Sequence, residues 1–208
     1  MSTLLTSSQL YIDPPNATFT PGAGALTGTL SNSGTSNVEA QLIFDTSYDS
    51  SNKYFELDGT GDLIYVPSTG ITGQNLSLWA FMNGILSREQ TLITTARSGE
   101  GVSIGVTNTD EIVITFGSNF DIPRFTAIST GHTYTGGWQM YMLTIAYNSS
   151  NSFYDITLYN NASAVYTATV SSYTASSTGL VYLGVAETDG SISISDPAYQ
   201  GDIGHFGM

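Results

Sequence analysis

From Tyr54 onward this chain alternates apolar and polar residues in short runs, and each run stops at a cluster of Gly, Asn, Asp, Ser or Thr. A period of two puts successive side chains on opposite faces of an extended strand, so these runs are strands rather than helices. Phe55 and Leu57 face one way, with Glu56 between them. Leu76, Leu78, Ala80 and Met82 alternate with Ser77, Trp79 and Phe81, which predicts a strand covered on both sides. Ile112, Ile114 and Phe116 form one face of another strand, and Ile192 and Ile194 alternate with serines. The intervening clusters supply the backbone conformations that tight turns need. No sustained 3.6-residue apolar stripe appears; the pattern allows at most one helical turn at residues 87–90.

Short strands with polar connections pack as two antiparallel sheets around one core. The chain has 208 residues, which suits a single all-β sandwich. The predicted core draws on Leu57, Leu78, Ile104, Ile114, Phe116, Leu143, Ile145, Ile156, Leu158 and Leu183. Residues 1–50 are punctuated by Asp13-Pro14-Pro15-Asn16 and Pro21-Gly22-Ala23-Gly24 and alternate less cleanly. They read as an N-terminal arm with short strands, a candidate docking segment, ahead of a sandwich domain at 51–208.

Charge narrows the partners. There are 17 acidic and 4 basic residues, a net charge of -13, and the basic ones (Lys53, Arg88, Arg97, Arg124) are scattered. No basic stripe exists to neutralise phosphates, which excludes nucleic-acid binding, and the same charge opposes an anionic membrane. Cysteine is absent, and the first residues lack the basic and apolar stretches of a secretory leader. The expectation is a protein made in a cytoplasm. Sequons at Asn16, Asn75, Asn148 and Asn161 read as chance in a chain this rich in Asn, Ser and Thr.

Five signals follow one another in order. Phe55 to Asp62 leads into Leu63-Ile64-Tyr65-Val66-Pro67, and Leu76 to Met82 carries a Trp. Gly101-Val102-Ser103-Ile104-Gly105-Val106 follows a loop. Trp138 opens a long strand that precedes Ile156-Thr157-Leu158-Tyr159-Asn160-Asn161. Leu183-Gly184, an acidic loop and Gly201-Asp202-Ile203-Gly204 close the series. This series resembles the concanavalin A-like jelly rolls, specifically the laminin-G/pentraxin branch, over residues 54–208. The upstream Leu10-Tyr11-Ile12-Asp13 and Pro21-Gly22-Ala23-Gly24 resemble the lead-in of laminin-G-like proteins of bacteriophage virions. The chain departs from the pattern in lacking the pentraxin disulfide and in placing Gly204 and His205 after the closing Ile.

The resemblance implies a calcium site in the acidic loop. The matching positions are Glu187 and Asp189, with Asp196 and Glu100 as further ligands, because calcium takes six to eight oxygens from flexible loops. Calcium is therefore the candidate cofactor, against the plain alternative of solvated loop acids. Glycosidases on this fold line three carboxylates along a strand, whereas Glu56-Leu57-Asp58-Gly59 offers two, and Asp58-Gly59 reads as a turn. His132 and His205 are the only histidines and make no usual zinc set without carboxylates; His132 reads as a surface-loop residue. No catalytic set emerges. Tyr134, Tyr173 and Tyr199, with Tyr48, are candidates for stacking on sugar, for an interface, or for plain sheet surface. Trp79 and Trp138 are expected in the core.

The expected function is a non-enzymatic virion protein, a capsid decoration or a fibre or appendage module that could present a glycan-binding surface. Its expected partners are other virion proteins, its own copies in a homo-oligomer (a trimer being favoured) and a host-surface glycan. The competing readings are a free calcium-dependent carbohydrate-binding lectin and, behind it, a glycoside hydrolase.

Overall fold

The computed structural model describes residues 10–14, 18–22, 26–67, 74–95, 100–117, 127–177, 179–184, 187–188, 191–192 and 199–208. Among them the chain forms only strands, turns and bends. In order these are β1 (Tyr11–Ile12), β2 (Phe19–Pro21), β3 (Leu26–Leu30), β4 (Ala40–Ile43), β5 (Ser47–Asp49), β6 (Tyr54–Asp58) and β7 (Leu63–Val66). Then come β8 (Leu76–Gly84), β9 (Gln90–Thr94), β10 (Val102–Val106), β11 (Glu111–Phe116), β12 (Ile128–Thr133) and β13 (Gln139–Asn148). The last are β14 (Phe153–Asn160), β15 (Ser163–Val170), β16 (Val181–Leu183), β17 (Glu187–Thr188), β18 (Ser191–Ile192) and β19 (Gln200–Gly207). Residues 86–88 bend without completing a helical turn.

Two large sheets stack into an all-β, jelly-roll-type sandwich. One has eight strands in the order β15-β14-β13-β8-β19-β6-β5, with β1 also beside β19; the other has nine, β12-β11-β10-β9-β16-β7-β4-β3-β2. The alternation read from the sequence sets which side chains meet. Leu78 pairs with Leu143 across β8 and β13, and Ile145 with Ile156 across β13 and β14. Facing them, Ile104, Ile93, Leu183, Ile64 and Leu42 line up across five strands of the other sheet. All of these belong to one buried cluster. Of the ten expected core residues, nine are buried and Phe116 packs against them at the edge.

The outward register of the nine-stranded sheet carries Thr115, Ser103, Thr94, Tyr182, Tyr65 and Gln41 in one cross-strand row. Thr115, Ser103, Thr94 and Tyr182 are buried, so that row is not an open face.

Residues 10–50 do not stand apart as an arm. They supply β1 to β5 to both sheets, and Leu10, Ile12, Leu30, Ala40 and Leu42 are fully buried. Tyr48 Oη donates to the Pro14 carbonyl at 2.7 Å, and Asn32 Oδ1 accepts from the Tyr11 amide at 2.8 Å. These strands are short and show a period only in part, as in β4. Their pairing comes from neighbours distant in sequence, which local alternation does not report.

One buried acid stands out. Asp62 is 2 % exposed, and its Oδ2 accepts from the Asp58 amide at 2.7 Å. Burial, together with the neighbouring Asp45 carboxyl, pushes its pKa up to about 7. The native state thus holds this proton more tightly than the unfolded chain, whose carboxyl has the ordinary value of 3.8. The associated stability is complete at pH below that unfolded value and is lost as pH rises through the folded one.

Two outcomes follow. Deleting residues 1–35 should abolish cooperative thermal unfolding followed by circular dichroism, because it strips β1 to β3 and their core side chains; an intact transition would show that these strands are dispensable. Asp62→Asn, which keeps an oxygen for the Asp58 amide, should flatten the fall in Tm between pH 4 and 7. An unchanged slope would remove Asp62 as its source.

Candidate functional site

Outward-facing residues of the eight-stranded sheet leave a groove of about 590 Å³ lined by Asn52, Lys53, Tyr54, Phe81, Trp138, Asp202, Gly204 and His205. Three adjacent strands build its floor. β8 brings Phe81, β19 brings Asp202, Gly204 and His205, and β6 begins at Tyr54. Trp138 stands immediately before β13 and folds back over the sheet. Its indole lies nearly parallel to the Phe81 ring, with centroids 4.9 Å apart and planes at 19°. Tyr54 meets it at 5.8 Å and 59°. The indole remains 40 % exposed, so part of it stays open to solvent.

Glycine makes room for this platform. A Cβ on Gly204 would sit 3.1 Å from Phe81 Cδ1 and 3.4 Å from Trp138 Cζ3. The same strand repeats the device at Gly207, where a Cβ would come within 2.8 Å of the Trp79 indole. Trp79, unlike Trp138, is buried, with Tyr11 tilted against it at 5.7 Å.

The approach to Trp138 is fixed by the next hairpin. Asn161 and Ala162 both take positive φ (48° and 70°), as the two central residues of a type I′ turn require. Asn161 Oδ1 then reaches back to accept from the Met140 amide at 2.9 Å. On the opposite rim Asp49 organises the turn that carries Asn52 and Lys53. Its Oδ1 accepts from the amides of Ser51 (2.8 Å) and Asn52 (2.9 Å), and its carbonyl accepts from the Lys53 amide at 2.7 Å.

A polar row runs beside the aromatics. Register places Ser47, Glu56, Asp202 and Asn83 opposite one another on β5, β6, β19 and β8. Ser47 Oγ donates to Glu56 Oε2 at 2.7 Å, and Asn83 Nδ2 donates to Asp202 Oδ2 at 3.0 Å. Burial raises the Asp202 pKa, the charges of Glu56 and Asp49 add to this, and the Asn83 amide opposes it. The Tyr54 hydroxyl pKa is raised by desolvation and then by the negative charges of Asp202, Asp49 and Glu56. At the far end His205 Nδ1 lies 3.1 Å from Asp13 Oδ1 and 3.4 Å from Tyr11 Oη.

This arrangement can stack the apolar face of a ring on Trp138 and accept hydrogen bonds from its substituents at Asp202. The sequence pointed elsewhere. Tyr134, Tyr173 and Tyr199 lie in the core and offer no stacking surface. Tyr134 Oη accepts from the Gly84 amide at 2.6 Å, Tyr199 Oη donates to the Asp202 carbonyl at 3.1 Å, and Tyr173 packs edge-on against Phe116 and Tyr154. Tyr48 is wedged between Phe19 and Phe55. Trp138, expected in the core, is the exposed aromatic of the groove. The signal in the sequence beside it is the pair Gly136-Gly137, both with positive φ, a turn immediately before the Trp.

His132 sits on β12 rather than in a loop, half-buried, with Nε2 at 2.9 Å from Asn160 Nδ2. Glu100 Oε2 accepts from the Ser177 amide at 2.6 Å; the Ser177 side chain first, and then that amide, hold the carboxyl below its usual range. Of the other expected calcium ligands, Asp189, Asp196 and the side chain of Glu187 lie outside the described residues. Among the described residues no three His, Cys, Asp or Glu side chains gather to hold a metal. Asp58 Oδ1 accepts from the Thr60 amide at 2.6 Å and so caps the β6–β7 turn, as its Asp-Gly sequence predicts.

No family model matches the chain, and no curated protein matches it in sequence. Solved structures do resemble its fold. Domain 4 of AbnA, a GH43 extracellular arabinanase from Geobacillus stearothermophilus in complex with arabinotriose, superposes with a TM-score of 0.55 at 13% identity, over 96% of this chain and 90% of that one. The CBM40 of a Ruminococcus gnavus IT-sialidase, bound to alpha2,3 sialyllactose, gives 0.51 at 10% identity over 74% and 87%. A carbohydrate esterase from the Shiga toxin-encoding bacteriophage phi24B gives 0.51 at 6% identity over 97% of each chain. At these identities the likeness is one of fold: a two-sheet β-sandwich.

Gly204→Val should push Phe81 and Trp138 off the sheet while sparing the core beneath. The expected readout is greater acrylamide quenching of tryptophan emission at an unchanged far-ultraviolet spectrum. Unaltered quenching would show that the rings do not rest on that glycine.

Proposed function

We propose that this chain is a non-enzymatic carbohydrate-binding module of concanavalin A-like type, and that the Trp138 groove is where the sugar sits. The carrying observation is the half-exposed indole held parallel over Phe81 beside a fixed carboxylate at Asp202. A sugar ring has an apolar face and a periphery of hydroxyls. An aromatic platform takes the first, and a carboxylate held in place accepts from the second. The fold neighbours agree with this reading, since two of them were solved with an arabinose or sialic acid oligosaccharide in place. The groove favours a sugar-binding role over a purely architectural one. The virion decoration or appendage implied by the resemblance then becomes the setting in which the module meets a host-surface glycan.

The test is a glycan array followed by calorimetry on the leading sugar. Trp138→Ala should weaken binding by about 30-fold, the loss expected for truncating a central aromatic anchor worth about 2 kcal/mol. Its Tm should stay close to that of the parent, because the indole is a surface group. Full affinity in Trp138→Ala would place the sugar elsewhere, and an array without any signal would return the chain to the purely structural reading.

A further inference from the structure

We infer that the groove selects uncharged glycans and rejects those bearing carboxylate or sulfate; this rests on the carbohydrate-binding reading and specifies its ligand class. Asp202 lines the groove, Glu56 is its cross-strand neighbour, and Asp49 stands on the rim beneath Asn52 and Lys53. All three carboxylates act on the Tyr54 hydroxyl at the groove's edge. Against them, among the described residues, the lining offers Lys53 and the imidazole of His205, whose Nδ1 already faces Asp13 Oδ1 at 3.1 Å. The guanidinium of Arg88 is committed elsewhere, donating to Gln200 Oε1 at 2.8 Å and to the Gly59 carbonyl at 2.9 Å. Arg97 and Arg124 lie outside the described residues.

A ligand carboxylate in this groove meets a half-buried Asp202 that already shares its space with Glu56. Recognition of a carboxylate calls for a fork of donors, which this lining does not supply. Hydroxyls meet the opposite situation. Asp202 is acceptor-only when ionised and is held in place by Asn83 through Oδ2. Sugar hydroxyls can therefore donate to it without bringing a second negative charge. The same acids thus attract one class of glycan and repel the other, which is how like-charge contacts produce specificity.

The experiment titrates the full chain with two panels at low salt: neutral oligosaccharides (arabino-, gluco- and galacto-oligosaccharides, lactose) and their anionic counterparts (sialyllactose, oligogalacturonate, sulfated lactose). Neutral sugars should bind at least about tenfold more tightly than anionic ones of the same size, the range that near-surface like-charge repulsion produces. The gap should shrink as salt screens the acids. Glu56→Gln should narrow it further, through better binding of the anionic panel. Equal or tighter binding of sialyllactose or oligogalacturonate would overturn the selectivity while leaving the groove as the sugar site. Silence from both panels would overturn the carbohydrate reading, and this inference with it.

Discussion

The structure depends on where the last strand lies. β19 is the final element of the chain, yet it sits inside the eight-stranded sheet, paired with β8 on one side and with β6 and then β1 on the other. Its inward residues, Ile203 and Phe206, are fully buried, so the core is incomplete without this strand. Its glycines face outward where rings must lie flat, or sit where the neighbouring backbone leaves no space. A Cβ on Gly201 would fall 2.3 Å from the Asn83 carbonyl oxygen, at a φ of 143°. One strand therefore joins the N-terminal and central segments and supplies the middle of the groove's floor.

The chemistry of the groove follows from the same register. Strand pairing puts Glu56 beside Asp202, and Asn83 and Ser47 at the two ends tie the carboxylates down. In a chain with 17 acids and 4 bases, a hydroxyl and an amide, from Ser47 and Asn83, donate to this pair. Partial desolvation then leaves Asp202 with a raised pKa and a strong appetite for hydroxyl donors. Stacking and hydrogen bonding converge because the aromatic row and the polar row are neighbouring registers of one sheet.

The sequence was legible where periodicity and burial coincide. The clean alternation of Leu76 to Met82, Ile112 to Phe116 and Leu143 with Ile145 appears as strands whose apolar side is the core. The closing Gly-Asp-Ile-Gly was recognised as a strand, though not as a floor for aromatic rings. Alternation says that two faces differ; it does not say which face another segment covers. Tyr134 and Tyr199 follow turn-rich sequence and read as exposed, yet their rings fill the core near Gly84, which has no Cβ to exclude them. Trp138 reads as core by its hydrophobicity, yet it is exposed at the groove, directly after Gly136-Gly137, both at positive φ. The short strands β1 to β5 left only a partial periodic trace because long-range pairing, more than local pattern, holds them.

The two tryptophans give the most direct measurement. One is buried over Gly207 and the other open over Gly204, so their indole N–H resonances report two different places in the fold. Titration with the best neutral oligosaccharide, followed by nitrogen–proton correlation spectra, should move the Trp138 indole signal together with the amides of Asn52, Lys53 and Asp202, while the Trp79 signal stays still. A saturable shift that spares Trp138 and appears on another face of the sandwich would contradict the account.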